Sequence, residues 1–232
     1  METIDKLYRH CSEINENFEI SEYNENVIIV KNIFKDPERM VKFQSLLSKW
    51  ESCSNAKPGI MSLKLPYWTA TDIALSVLDL EEKFDEILNE SEFYYFYYNN
   101  IGIDSRITDM RSNNCNLPHT DPGSDRNRTN IIGLINLNKR PVKTGFWTFE
   151  GNILEDTEEI SNRYNDYAEE INYKNYLNKI NNGILDNVFN VEYNFNEAIF
   201  YNSICFHQPI IDKYYTRENP RVMMRLSYVL DE

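Results

Sequence analysis

The sequence predicts a mainly β fold in which antiparallel sheets carry helices on their outside. Three observations favour this class. Apolar residues at helical spacing are concentrated in the first ninety residues. From residue 91 onward, short segments rich in β-branched and aromatic residues follow one another. Strands and helices do not alternate regularly, as a doubly wound fold requires. We therefore expect one domain over residues 1–232, with a strand and flanking helices in residues 1–90 and a β core in residues 91–232.

The composition excludes several classes of protein. With 232 residues, of which 41% are hydrophobic, the chain has enough apolar material for a sizeable core, and this argues against disorder. No run approaches the ~18 apolar residues of a membrane span, and the start lacks a signal-peptide segment, so we expect a soluble, cytoplasmic protein without a membrane partner. The net charge of −13 argues against general nucleic-acid binding. The four cysteines show no CxxC spacing and are expected to be reduced thiols.

The N-terminal part is predicted to supply helices around one strand. Residues 1–26 are polar and typical of a helix followed by a loop, whereas residues 26–33 form a buried strand. A helix is predicted to begin at Asp36 and Pro37, because Asp is a favoured N-cap and Pro is favoured at the first helical position. A second helix is predicted over residues 71–89. The apolar face of the first helix is predicted to comprise Met40, Val41, Phe43, Leu47 and Trp50.

The C-terminal part is predicted to consist of strands around one insertion. Strands are expected at residues 93–98, 106–112, 129–137, 144–149, 188–193, 197–201 and 221–230. Residues 152–187 interrupt this series, since they are acidic, rich in Asn and Tyr, and partly helical in pattern. We interpret them as a helical insertion between two core strands. The insertion is a candidate lid, because it joins two core strands near the candidate site, and the alternative is a surface elaboration without contact to substrate.

Two of the three histidines belong to a candidate metal site. His119 and Asp121 are two residues apart, and side chains at that spacing in an extended segment point to the same side. His207 follows a predicted strand. Two histidines and one carboxylate form the facial triad of non-haem Fe(II) oxygenases, which leaves other coordination positions open. Taken alone, a His-x-Asp pair is weak evidence for a metal site, and a histidine at the position of His207 is more often a packed or hydrogen-bonded residue than a ligand.

The last predicted strand places two arginines on one face. Period-2 alternation puts Arg221, Arg225 and Ser227 on the same side of the sheet. A buried arginine needs an anion or an exit to solvent. Arg225 and Ser227 together can hold a carboxylate, the first through a forked charged pair and the second through its hydroxyl. Taken alone, a solvated outer face accounts for this strand equally well.

In combination, these motifs resemble the 2-oxoglutarate/Fe(II)-dependent oxygenases, and most closely the prolyl-4-hydroxylase-like branch. The resemblance covers about residues 27–230. It rests on His119-x-Asp121, then His207, then Arg225-x-Ser227, in that order. The interval between His119 and His207 is long for the family, and the insertion accounts for it. Further agreement lies in residues 27–50, 132–138, 143–147 and 193–200.

The resemblance implies a fold, a reaction and a set of ligands. The core would be a double-stranded β-helix of the jelly-roll or cupin-like type. His119, Asp121 and His207 would bind Fe(II) and form the catalytic centre. The far carboxylate of 2-oxoglutarate would pair with Arg225 and Ser227, with Arg221 as the alternative anchor. O2 would be the cosubstrate, 2-oxoglutarate would be decarboxylated to succinate, and a substrate would be hydroxylated.

Two other functions remain open from the residues. One is a non-catalytic binding or structural module on the same fold. The other is a cupin-like enzyme that uses another metal without 2-oxoglutarate, although such chemistry needs no anchor for a far carboxylate. The primary substrate is not identified by the sequence, and a protein side chain, a peptide and a small molecule are all compatible with it.

Overall fold

The computed structural model describes most of the β core and the N-terminal helices. The described residues are 2–46, 50–52, 59–62, 68–80, 90–96, 130–149, 178, 181–212, 214–215 and 219–230. Within them the fold is mainly β, with antiparallel sheets and few helices, which confirms the predicted class. None of the helices in this part of the chain is long and apolar enough to cross a membrane. The helices are α1 (Glu2–Cys11), α2 (Pro37–Leu46) and α3 (Trp68–Ser76). The strands are β1 (Glu19–Asn24), β2 (Val27–Lys31), β3 (Trp50–Ser52), β4 (Gly59–Ser62), β5 (Glu90–Phe96), β6 (Asn130–Asn136), β7 (Val142–Phe149), β8 (Leu185–Tyr193), β9 (Ala198–Asn202), β10 (His207–Ile210) and β11 (Arg221–Val229).

The strands of the described residues form two antiparallel sheets. The large sheet has the order β1-β2-β9-β6-β11-β5-β4-β3, and the small sheet has the order β10-β7-β8. From β6 onward the chain passes repeatedly between them: β7 and β8 lie in the small sheet, β9 in the large one, β10 in the small one and β11 in the large one. Residues distant in sequence are thereby brought to the space between the sheets.

The outer face of the large sheet packs against helices. The outer core, as we name this cluster, joins Tyr8 and Phe43 of α1 and α2, whose ring centroids are 5.0 Å apart, to Met224, Leu226 and Tyr228 of β11. Helix α2 begins as predicted, since the Arg39 backbone N–H donates to the Asp36 side chain at 3.3 Å. Burial of these apolar side chains is the main stabilising contribution on this face.

The inner face of the large sheet packs against the small sheet. The inner core, the second cluster, contains Ile132, Tyr201 and Met223 from the large sheet and Phe146 and Tyr193 from the small one. On β11, Met223 enters the inner core while Met224 enters the outer core. The predicted alternation of this strand is therefore confirmed, and it turns the face of Arg221 towards the small sheet.

Several predicted elements differ from the structure. Trp50 lies in β3 instead of on the helix that precedes it. The helix predicted over residues 71–89 is too long, because α3 ends at Ser76 and Asp79 has a left-handed backbone (φ 53°) that does not continue a helix. Residues 81–89, the predicted strand at 106–112 and most of the 152–187 insertion lie outside the described residues, although β8 already begins at Leu185.

Four short or polar strands were missed by the sequence patterns. Strand β1 replaces the predicted loop, and it is an exposed edge strand without an apolar face. Strand β10 contains Pro209, which usually argues against a strand, but β10 is an edge strand and tolerates it. Strands β3 and β4 comprise three and four residues, too few for a periodic pattern.

Candidate metal and carboxylate site

His207 opens strand β10 inside the molecule. The strand pairs with β7, where His207 lies opposite Phe146, and the side chain is only 4% exposed. The Tyr201 ring packs against the imidazole with 4.8 Å between centroids. As predicted, His207 follows a strand, β9, and it is also the first residue of the next strand, β10. A buried, ring-packed imidazole is held in one orientation, as a metal ligand requires.

A backbone carbonyl fixes the tautomer of His207. Its Nδ1 lies 3.1 Å from the carbonyl oxygen of Cys205, and because a carbonyl only accepts, Nδ1 must be the donor. In the neutral imidazole Nε2 then carries the lone pair. A histidine that donates through one nitrogen to a carbonyl and presents the other is the usual arrangement of a metal ligand.

Arg221 is a buried cation that bridges the two sheets. It begins β11 in the large sheet and is 1% exposed. Its Nη2 donates to the Tyr193 hydroxyl of β8 at 2.9 Å, and its Nη1 donates to the Lys143 carbonyl of β7 at 3.3 Å. Within the described part of the chain, Nε has no hydrogen-bond partner and no carboxylate pairs with the guanidinium. These neutral contacts leave the charge uncompensated.

The hydroxyls of Thr144 and Tyr193 place one further unused proton beside the Arg221 guanidinium. The two hydroxyls are 3.2 Å apart, and both residues are fully buried. The pair has two hydroxyl protons, and the bond between them uses one, whichever residue donates. The other proton and the Arg221 Nε–H are therefore unmatched donors among the described residues. We name Arg221, Tyr193 and Thr144 the carboxylate pocket, because surplus donors around a cation are what a carboxylate binds.

The carboxylate pocket and His207 lie at two ends of one stretch of β7. Phe146 is opposite His207, and Lys143, whose carbonyl accepts from Arg221, is three residues earlier. Three residues of strand correspond to ~10 Å. His207 and the Arg221 guanidinium therefore contact positions three residues apart on the same strand.

Tyr215 is a further buried hydroxyl near Arg221. It is 4% exposed, and its hydroxyl has no hydrogen-bond partner in the described residues. Burial raises the pKa of this hydroxyl, and the Arg221 charge acts against that increase. Tyr215 therefore keeps its proton at neutral pH and is a potential donor beside the cation.

Arg225 and Ser227 lie further along the same face of β11. Both are partly buried. Arg225 is in register with Glu92 of β5 and Leu134 of β6, and Ser227 is in register with Ile132 of β6. Arg225 is thus four residues, or ~13 Å along the strand, from Arg221. The two arginines occupy different environments, and Arg221 is the more deeply buried.

The remaining predicted ligands, His119 and Asp121, lie outside the described residues. No cluster of three potential metal ligands occurs among the residues that are described. Thr144 and Tyr193 belong to the stretches 143–147 and 193–200 that carry the resemblance, but sequence patterns assigned neither of them a role, because only the folded sheets bring them to Arg221.

Comparisons with known proteins give weak similarities. No protein-family model and no curated protein matches the chain. A solved structure described as the non-heme alpha ketoglutarate dependent carbocyclase SnoK from nogalamycin biosynthesis is similar at 8% identity, with 99% of this chain and 83% of that chain covered and a TM-score of 0.42. The non-heme alpha ketoglutarate dependent epimerase SnoN from the same biosynthesis is similar at 12% identity, with 98% and 82% covered and a TM-score of 0.46. Neither similarity assigns a function to this chain.

Proposed function

We propose that this protein is an Fe(II)- and 2-oxoglutarate-dependent oxygenase with a double-stranded β-helix core. The passage of the chain between the two sheets from β6 to β11 supports such a core. His119, Asp121 and His207 bind the metal, and the carboxylate pocket binds the far carboxylate of 2-oxoglutarate. Arg221, which the sequence offered as the alternative, is preferred here over Arg225 and Ser227.

The observation that carries the proposal is the buried charge of Arg221, which no carboxylate among the described residues compensates. An isolated ion inside a protein costs several kcal/mol, even after relaxation. Among the described residues, Arg221 has neutral acceptors for two of its nitrogens, and its Nε–H has no hydrogen-bond partner. A ligand carboxylate supplies the missing negative charge and accepts the unmatched protons. A buried arginine without a ligand to bind would be a net cost to the fold.

His207 fits the proposed metal. Its lone-pair nitrogen is fixed by the Cys205 carbonyl, and two-histidine, one-carboxylate sets bind Fe(II) with open positions. Bound iron supplies the oxidation chemistry, in which O2 and 2-oxoglutarate are consumed and the substrate is hydroxylated.

The surrounding residues orient the ligand and exclude water. The Tyr201 ring packs against the imidazole at 4.8 Å between centroids, and the Phe146 ring packs against Tyr201 at 5.3 Å, so aromatic rings cover this side of His207. Arg221 fixes the far end of the diacid, Tyr193 accepts from the guanidinium, and the one hydroxyl proton that the Tyr193–Thr144 pair does not use donates to the carboxylate. A low-dielectric interior strengthens this ion pair.

The substrate class remains the broad one that the sequence implies. We propose that the protein hydroxylates a protein or peptide side chain, as in the prolyl-4-hydroxylase-like branch, or a small molecule.

Anaerobic titration tests the proposal. The protein with Fe(II) should develop a weak visible charge-transfer band when 2-oxoglutarate is added. His207→Ala should abolish the band, and Arg221→Ala should shift its half-saturation to at least roughly thirty-fold higher 2-oxoglutarate. Arg140→Ala is the control, because Arg140 is an exposed arginine that stacks on Tyr214 and should have no effect. Metal binding without any band would contradict the proposal and favour a cupin-like metal enzyme.

A further inference from the structure

Two asparagines lie behind the carboxylate pocket. Asn136 ends β6 and is fully buried. Its Oδ1 accepts from the backbone N–H and the side-chain amide of Asn138, at 2.8 Å and 2.7 Å. Its Nδ2 donates to the carbonyls of Arg140 and Tyr193, at 3.0 Å and 3.2 Å. The Asn136 amide is therefore saturated, and one of its bonds holds the backbone of a pocket residue.

Asn138 holds the strand that carries Arg221. Its Oδ1 accepts from the Val222 N–H at 2.8 Å, and its Nδ2 donates to the Val222 carbonyl at 2.8 Å. The side chain thus pairs with both backbone groups of the residue that follows Arg221. It continues the ladder between β6 and β11 beyond the last register pair, Asn136 with Met223.

The two amides join the sheets at the pocket. Through Asn136 they contact Tyr193 in the small sheet, and through Asn138 they contact Val222 in the large one. The Arg221–Tyr193 bond of 2.9 Å spans the same gap. The spacing of the two pocket residues is therefore set by their own bond and by the saturated amide pair behind it. Among the described residues, no hydrogen bond joins either asparagine side chain to a pocket side chain, so we expect any effect on a ligand to be indirect.

We propose that Asn136 and Asn138 are positioning residues that set the Arg221–Tyr193 spacing for a ligand carboxylate. This inference rests on the proposed function in one respect, because that function identifies the ligand as 2-oxoglutarate. Binding sites respond to displacements of ~1 Å, so loosening β11 at Val222 should weaken carboxylate binding without removing any group that touches the ligand.

The chain offers a closely matched control. Asn196 also pairs with both backbone groups of one residue: the Phe34 N–H donates to its Oδ1, and its Nδ2 donates to the Phe34 carbonyl, each at 2.9 Å. Phe34 belongs to the outer core. Because Asn196 has φ 63°, glycine is the appropriate replacement there. Asn138→Ala and Asn196→Gly thus remove the same kind of side-chain clamp, one on the strand of Arg221 and one on Phe34. The Asn196 backbone N–H also donates to the Asn136 carbonyl at 2.9 Å, and glycine keeps that bond.

The experiment measures 2-oxoglutarate affinity and the Arg221 side chain in both variants. Asn138→Ala should raise the dissociation constant roughly tenfold, equivalent to ~1.4 kcal/mol, and Asn196→Gly should change it less than twofold at a similar loss of thermal stability. Affinity for 2-oxopentanoate, which lacks the far carboxylate, should stay unchanged in both. Equal dissociation constants for 2-oxoglutarate in the two variants would overturn the inference.

A second readout separates this inference from the proposed function. In the ligand-free protein, the Arg221 Nε–H signal in 15N NMR should exchange faster in Asn138→Ala and remain as in wild type in Asn196→Gly. If wild type does not bind 2-oxoglutarate, the proposed function fails, and this signal still decides the positioning role. If Asn138→Ala does not fold, Asn138→Ser provides the same comparison, and an unchanged Nε–H signal there contradicts the inference.

Discussion

The two faces of strand β11 differ in how their buried groups are satisfied. On the outer face Met224, Leu226 and Tyr228 are fully buried against the helices, and burial raises the pKa of the Tyr228 hydroxyl well above its usual value. On the inner face Arg221 is equally buried but carries a charge that no described carboxylate balances. One strand therefore contributes apolar burial on one side and an unbalanced cation on the other. Stability and ligand binding should respond separately to changes on the two faces.

The largest expected effect comes from removing the inner cation. Arg221→Met should raise the dissociation constant for 2-oxoglutarate roughly thirty-fold or more, because truncating one partner of a buried charge pair costs ~2–5 kcal/mol. The same change should not lower the melting temperature of the ligand-free protein, since an apolar side chain of similar length relieves the buried charge. Calorimetric titration measures the dissociation constant, and thermal unfolding measures the melting temperature. A lower melting temperature with unchanged affinity would assign Arg221 a structural role.

A change on the outer face should give the opposite result. Leu226→Ala removes a fully buried side chain of the outer core and should lower the free energy of unfolding by ~2–5 kcal/mol. The folded variant should bind 2-oxoglutarate as wild type does. Urea unfolding and calorimetric titration test this, and an affinity loss as large as that of Arg221→Met would show that the two faces are coupled.

The hydroxyl beside the cation should have an intermediate effect. Tyr193→Phe keeps the ring but removes the acceptor of Arg221 Nη2 and the bond to Thr144. A hydrogen bond to a charged group contributes ~1.5–3 kcal/mol, part of which the ligand restores, so the dissociation constant should rise roughly three- to tenfold. Calorimetric titration provides the measurement. An effect above that of Arg221→Met would place the main ligand contact on Tyr193.

The smallest effect at neutral pH concerns Cys205, whose carbonyl orients His207. Burial raises the pKa of its thiol to about 12 from an ordinary value of 9.0. Between pH 9 and about 12, the unfolded thiol loses its proton while the folded thiol keeps it. The stability that comes from burying the neutral thiol is therefore complete below pH 9 and is lost across this range. The loss is up to ~1.4 kcal/mol per pH unit. Cys205→Ala should make the decline of stability above pH 9 shallower, and an unchanged slope would contradict this assignment.

The sequence predicted the strands of the cores better than it predicted the chemistry between them. Four strands, β2, β6, β9 and β11, contain enough apolar residues for their burial to be visible as a strand pattern in the sequence. Strand β1 has none facing a core, and only pairing with β2 makes it a strand. The carboxylate pocket was not predictable as a set, because Thr144, Tyr193 and Arg221 come from three strands that only the sheet packing brings together. The alternation of β11 did predict that an arginine faces inward, but not which of the two is more deeply buried.

A comparison of two ligands measures most directly whether Arg221 binds the far carboxylate. The Fe(II) protein is titrated anaerobically with 2-oxoglutarate and with 2-oxopentanoate, which keeps the 2-oxo acid but lacks the far carboxylate. The comparison is made in wild type, Arg221→Met and Arg225→Met. We expect wild type and Arg225→Met to prefer 2-oxoglutarate at least roughly thirty-fold, and Arg221→Met to bind the two ligands almost equally. A preference that survives in Arg221→Met and disappears in Arg225→Met would contradict this account and place the anchor at Arg225.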